Sequence, residues 1–206
     1  MGKYITRARA FLLNRCRGAE LLRVPSGWVK TPRGWRWSGA FLLDVRPVTN
    51  SEYALFIEQT GVRRPHWIHR PGFGEPEQPV VGITLAEASA FARWAGKRLP
   101  TSVEWFRAVT AGEPRRFPWG DDEPNPSHAH FGRGASGAPA SVDHPGARAA
   151  GRGPYGHCDL LGNVWEWCSE GVARGGFWGS KSLQMTDTLE PSGATVSGGL
   201  GFRCAR

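Results

Sequence analysis

Asp159-Leu-Leu-Gly-Asn-Val-Trp-Glu-Trp-Cys168, followed by Arg174-Gly-Gly-Phe-Trp178 and closing on Gly201-Phe-Arg-Cys-Ala-Arg206, is the part of this sequence that decides its fold. The alternation Trp165-Glu-Trp167 has the period of a strand, whose successive side chains face opposite sides. One indole is therefore expected in the core and the other half-exposed beside a site. The chain around this stretch holds 28 Gly and 16 Pro in 206 residues, too many breakers for a helical bundle. Ten Trp and 40% hydrophobic residues are enough for a core and exclude a disordered chain. A loop-rich α+β domain is the expectation.

Upstream, three helix starts share one signature, a Thr three residues before a Glu. Thr49-Asn-Ser-Glu52 opens a helix to about Thr60, with Tyr53, Phe56 and Ile57 on one face. Thr84-Leu-Ala-Glu87 opens a second, burying Ala88, Phe91, Ala92 and Ala95 and stopping near Gly96. Thr101-Ser-Val-Glu104 opens a third, with Trp105, Ala108 and Val109 inward. Before them, residues 19–29 and 40–45 read as short strands around a turn that contains Trp35 and Trp37. From 111 to 157 the pattern breaks into a segment with nine Gly and seven Pro and no sustained period. So long an irregular stretch in a compact domain is expected to be functional or to be held by ligands and turns.

The net charge of +8 is local. Residues 1–36 hold nine basic side chains against Glu20 alone, and the remainder is neutral. Such a face suits nucleic acid, acidic lipid or an acidic partner, but a solvated arginine-rich surface accounts for it as well, and nucleic acid is not favoured. Cys16, Cys158, Cys168 and Cys204 include no C-x-x-C pair, and His66-x-x-His69 and His128-x-His130 are weak metal signals. No stretch reaches the ~18 consecutive apolar residues of a membrane span. The early run Ala10-Phe11-Leu12-Leu13 is too short for a signal-peptide core, so a cytoplasmic location is expected. A single domain over 1–206, with 1–18 as a basic N-terminal extension, and a monomer, complete that expectation.

Taken in order, several blocks resemble the formylglycine-generating enzyme (sulfatase-modifying factor) family. They are Pro47-Val-Thr-Asn-Ser-Glu-Tyr53, Pro79-Val-Val-Gly82, Gly96-Lys-Arg-Leu-Pro-Thr-Ser-Val-Glu-Trp105, Pro118-Trp-Gly120, Leu161-Gly-Asn-Val-Trp-Glu-Trp167, Arg174-Gly-Gly176 and Gly201-Phe-Arg203. The resemblance implies a C-type-lectin-like α+β fold with short helices, a small twisted antiparallel sheet and much irregular chain. It also implies a calcium site, structural in role, formed by Asp159, Gly162, Val164 and Glu166, two carboxylates and two main-chain carbonyls suiting a hard cation. The oxidase branch of the family binds copper through two cysteines after the Gly-Gly; those positions fall at or near Ser180 and Met185, so no copper is expected. The iron-dependent sulfoxide synthase branch draws its His ligands from a preceding helical domain that this sequence does not display.

Between Trp178 and the final Gly-Phe-Arg the residues are mostly small, and 182–199 carries no base. Variable proteins of diversity-generating retroelements use this fold and diversify this stretch by mutating adenines in a template. Asn codons altered in that way reach Phe, Gly, Ser, Leu, Thr, Asp, Ala, Pro and Val, the types that dominate 177–199. The resemblance therefore implies a non-enzymatic binding protein for an unidentified protein or surface ligand. The contact surface would be Phe177, Trp178, Gly179, Ser180, Ser182, Leu183, Thr186, Asp187, Thr188, Leu189, Ser192, Thr195 and Ser197, with the large apolar side chains as anchors. The alternative is an oxidase relative, or a degenerate one, acting on a Cys-containing peptide.

Overall fold

The structure is a computed structural model that describes residues 20–134, 137–141, 148–186, 188–190 and 197–206. The basic extension over 1–18 lies outside the described residues. Four short strands come first: β1 (Leu21–Val24), β2 (Gly27–Thr31), β3 (Gly34–Ser38) and β4 (Phe41–Asp44). β1 pairs antiparallel with β4, and β2 with β3. The segment expected as one strand over 19–29 breaks at Pro25, which has no N–H to give a ladder. Trp35 and Trp37 lie in β3 rather than in a turn, because the reversal is confined to Pro32 and Arg33, with Gly34 following at φ 94°. In this register Trp28, Lys30, Trp35 and Trp37 share the outer face, each indole more than half exposed, while Val29 faces inward and is fully buried.

Three helices follow: α1 (Asn50–Thr60), α2 (Leu85–Trp94) and α3 (Ser102–Thr110). All three expected capping boxes form, through Thr49 and Glu52, Thr84 and Glu87, and Thr101 and Glu104. Each N-cap bond is worth about 1 kcal/mol, so these short helices start where the sequence says. Tyr53 and Phe56 of α1 meet Phe91 of α2, with ring centroids 5.6 Å apart in both pairs, and Phe202 closes the cluster from the C-terminus.

The second half builds one four-stranded sheet from β5 (Trp165–Trp167), β6 (Ala173–Arg174), β7 (Thr188–Leu189) and β8 (Leu200–Gly201). The order is β7-β6-β5-β8, with β5 and β8 parallel and the other pairs antiparallel. Trp167 is fully buried and donates its Nε1–H to the Ile83 carbonyl at 2.7 Å, whereas Trp165 is half-buried. That division is the one the alternation predicts. The last three residues run back along the N-terminal strands: Leu42 and Arg206 exchange both backbone bonds, 2.8 Å each, and Ala205 bridges Leu43 and Arg98. The C-terminal end of the domain is thus tied to β4.

Candidate functional site

Arg203 organises the centre. Its side chain is fully buried, and it donates from Nε to Glu166 Oε2 at 2.7 Å and from Nη2 to Oε1 at 2.6 Å. Its other hydrogens go to the carbonyls of Asp44, Val45, Cys158 and Asp159, at 2.8 to 3.2 Å. One guanidinium therefore ties β4, the 158–159 turn, β5 and the C-terminal strand together. Burial pushes the Glu166 carboxyl up, and the bidentate Arg203 pulls it back.

This network bears on calcium. Both Glu166 oxygens are held by Arg203, Asp159 Oδ1 accepts from Arg148 Nη1 at 3.2 Å, and the Asp159 carbonyl also faces Arg203. Val164 packs its side chain against Phe73, Val81 and Trp178. Of the four residues expected to form the calcium site, Glu166 and Asp159 thus have guanidinium partners. Among the described residues no group of three or more His, Cys, Asp or Glu is placed to hold a metal. His128 stacks on Trp119 at 4.9 Å, and His130 Nε2 bonds to the Ala138 carbonyl at 3.0 Å.

The segment after Gly175-Gly176 divides between two hollows. Gly175 and Gly176 have φ of 100° and 72°, and a Cβ on Gly176 would lie 2.8 Å from Leu183 Cδ2, so the bend requires glycine. Phe177 and Trp178 then line a hollow of about 570 Å³ with Trp67, Phe73 and 197–199, and the Arg70 guanidinium lies 4.1 Å from the Trp67 ring centre. Trp178 is buried: its Nε1–H donates to the Gly198 carbonyl at 3.3 Å, and its backbone N–H to Asn163 O at 2.9 Å. Leu183 is buried too, against the cluster of Trp105, Phe106 and Leu160. These two are core side chains, not free anchors, because Trp178 packs with Phe73, Val81 and Val164 and Leu183 with the Trp105 cluster. Phe177 is half-buried and lies flat toward Trp165 at 6.5 Å.

Thr186 and Thr188 line a different cleft, of about 430 Å³, on the side of the β2–β3 hairpin. Ser182 is exposed, Gly179 and Leu189 are half-buried, and Ser180 closes a tight turn by accepting the Phe177 N–H at 3.1 Å. None of these four lines either hollow. Ser197 lines the aromatic one. Asp187, Ser192 and Thr195 lie outside the described residues. Trp67, Arg70 and Phe73 were not singled out by the sequence reading, although Trp67-x-x-Arg70-Pro-x-Phe73 is an aromatic spacing inside an irregular stretch. Asn163 was also passed over: it takes a φ of 60° and fastens the Ala140 backbone through both ends of its amide.

The positions that correspond to the oxidase cysteines are filled by Ser180, half-buried in its turn, and Met185, packed on the Trp105 cluster. Cys158, Cys168 and Cys204 are buried, and burial pushes Cys168 and Cys204 well above the ordinary thiol value. Such sulfurs are inert core groups rather than reactive thiolates.

Short capped helices, a small twisted sheet and a long irregular connection define a C-type-lectin-like α+β domain. Its sequence matches the Sulfatase-modifying factor enzyme 1-like domain over residues 16–206, and the chain belongs to that family. It is 39% identical over 155 residues to the hercynine oxygenase of Mycolicibacterium smegmatis, covering 60% of this chain and 35% of that one. It is 29% identical over 209 residues to the formylglycine-generating enzyme of Thermomonospora curvata, covering 87% of this chain and 65% of that enzyme. The chain thus spans about a third of the length of the hercynine oxygenase it matches. Among solved structures, the Treponema denticola variable protein 1 superposes with a TM-score of 0.71 at 18% identity, covering 90% of this chain and 94% of that one. The described residues contain no helix long and apolar enough to cross a membrane.

Proposed function

We propose that this domain binds a ligand without transforming it, at the surface formed by the aromatic hollow and the segment that follows Gly175-Gly176. One observation carries the reading: where the family's oxidases place copper-binding thiols, this chain has Ser180 and Met185, and no cysteine stands between Cys168 and Cys204. Around those positions the exposed side chains, Lys181, Ser182, Gln184 and Thr186, are polar, and half-buried Phe177 offers the apolar area a contact surface needs. The ligand is a protein or other surface group. Diversification of 177–199 by a retroelement is the finer form of this reading, supported by the residue types there and by a fold shared with a protein named for its variability.

A second reading keeps enzymatic chemistry, as a relative of the oxidases or as part of a larger oxygenase. The 39% identity to hercynine oxygenase favours it. Oxygen uptake separates the two. The purified chain is supplied with Cu(I) and a cysteinyl peptide, and in parallel with Fe(II), a thiol and hercynine. No uptake above the metal-only control is expected, and turnover in either assay overturns the binding reading. The retroelement form stands or falls on the flanking DNA: a near-identical template repeat beside a reverse-transcriptase gene is expected, and its absence removes that form alone.

A further inference from the structure

The cleft beside the β2–β3 hairpin shares no lining residue with the aromatic hollow, and its chemistry is different. Its floor is Arg174, nine-tenths buried. The guanidinium lies over the Phe106 ring at 4.7 Å, donates from Nε to Ser102 Oγ at 3.0 Å and from Nη1 to Thr188 Oγ1. Its remaining hydrogens face no bonded acceptor among the described residues, and it belongs to no ion pair there. Burial pushes the Arg174 guanidinium down from its ordinary value, and the nearby Glu170 and Glu190 carboxylates, neither of them paired with it, pull it only partly back. Arg33, at the hairpin turn, adds to that push.

Arg33 and Arg36 also line the cleft, and neither forms an ion pair among the described residues. Three guanidinium groups and the hydroxyls of Ser102, Thr186 and Thr188 therefore border one cavity of about 430 Å³. Two carboxylates share its wall. Glu170 is committed elsewhere, both its oxygens accepting the Ser102 N–H at 3.0 Å and one accepting Ser169 Oγ at 3.1 Å. Glu190 is exposed and makes no ion pair with the three arginines.

We propose that this cleft is a binding site for a small oxyanionic ligand, a phosphate ester or polycarboxylate, gripped by the buried Arg174 fork and closed over by Arg33 and Arg36. Guanidinium forks match the planar oxygen pairs of both groups, and the volume is that of a small-molecule site. A long polyanion is the poorer fit, since the deepest cation sits inside a concavity rather than along a track. The site is independent of the aromatic hollow and of whether the domain turns over any substrate.

Calorimetric titration and melting of the full chain with pyrophosphate, inorganic phosphate and citrate test it, against sodium chloride at matched ionic strength. Saturable binding is expected; preference for pyrophosphate over citrate assigns the phosphoryl source, and the reverse assigns the carboxylate source. Arg33→Ala with Arg36→Ala, both on the exposed hairpin, is expected to weaken binding at least tenfold while circular dichroism stays native. Arg174→Lys keeps the charge, loses the fork, and is expected to weaken it similarly. Lys30→Ala, the loss of one positive charge on the opposite face of the hairpin, is expected to leave binding unchanged. The proposal is overturned if chloride stabilises equally, if the double variant binds like the native chain, if Lys30→Ala weakens binding as much as the double variant does, or if a short DNA oligonucleotide binds where the small anions do not.

Discussion

The last thirty residues contain two regions of opposite character. Residues 201–206 are wholly committed: Arg203 saturates its donors on five residues, Cys204 donates its backbone N–H to Asp44 Oδ2 at 2.9 Å, and Ala205 and Arg206 pair with the N-terminal strands. Residues 177–186 alternate commitment with freedom, Trp178 and Leu183 inward, Ser182 and Thr186 outward. A fixed frame beside an irregular segment with free side chains is how a fold can hold its shape while its contact surface changes. The frame's strength and the segment's tolerance are both measurable.

The frame should break hardest at Arg203. Replacing it with Ala leaves Glu166 buried without its partner and frees four carbonyls, and removing one member of a buried pair costs about 3–5 kcal/mol. Urea denaturation measures it. A loss under about 1 kcal/mol would mean that water replaces the guanidinium and that the frame is not held from this point.

This central pair marks where sequence reading stops. The helices were legible because a capping box is local: Thr49 and Glu52 lie three residues apart and answer each other. The two indoles of β5 were legible for the same reason, their alternation being a property of one strand. Arg203 and Glu166 lie 37 positions apart, so spacing within a motif cannot say that Glu166 faces a guanidinium. Trp178 illustrates the limit again. Its place between aromatic neighbours and small residues reads as an exposed anchor, but its burial is decided by Phe73 and Gly198, neither of them near neighbours in sequence. Trp35 and Trp37 err the other way: bulky apolar residues at a turn turned out to stand on the outer face of a strand.

A second test of the frame comes from pH. His157 is fully buried, and burial, with the neighbouring Arg203 charge, pushes it down to about 3 from 6.5. The unfolded chain therefore binds a proton that the folded chain refuses between pH 6.5 and about 3, and stability falls as pH falls through that window. The slope is about 1.4 kcal/mol per pH unit, or roughly 2 kcal/mol lost by pH 5. Denaturation curves at pH 7, 6 and 5 measure it, and His157→Phe should remove this slope. An unchanged slope in the variant would show that His157 is protonated inside the fold or that other groups set the acid limit.

Effects in the segment run from large to almost none, and their ranking sharpens the contrast most. Leu183→Ala empties a buried site and should cost about 2–5 kcal/mol. Ser180→Ala removes the acceptor for the Phe177 N–H and should cost about 1 kcal/mol, the net worth of one hydrogen bond. Ser182→Ala and Thr186→Ala alter exposed side chains and should shift stability by no more than about 0.5 kcal/mol. The order matters more than any single value, because all four positions lie within seven residues and share one backbone course. A melting scan of the four variants reads it directly. Losses above about 2 kcal/mol at Ser182 and Thr186 would make the segment buried structure throughout, and the contact surface would then have to be sought elsewhere. If instead only Leu183 and Ser180 respond, the outward side chains are free of any folding duty, which is the condition a surface must meet before its residues can be exchanged for the sake of a ligand.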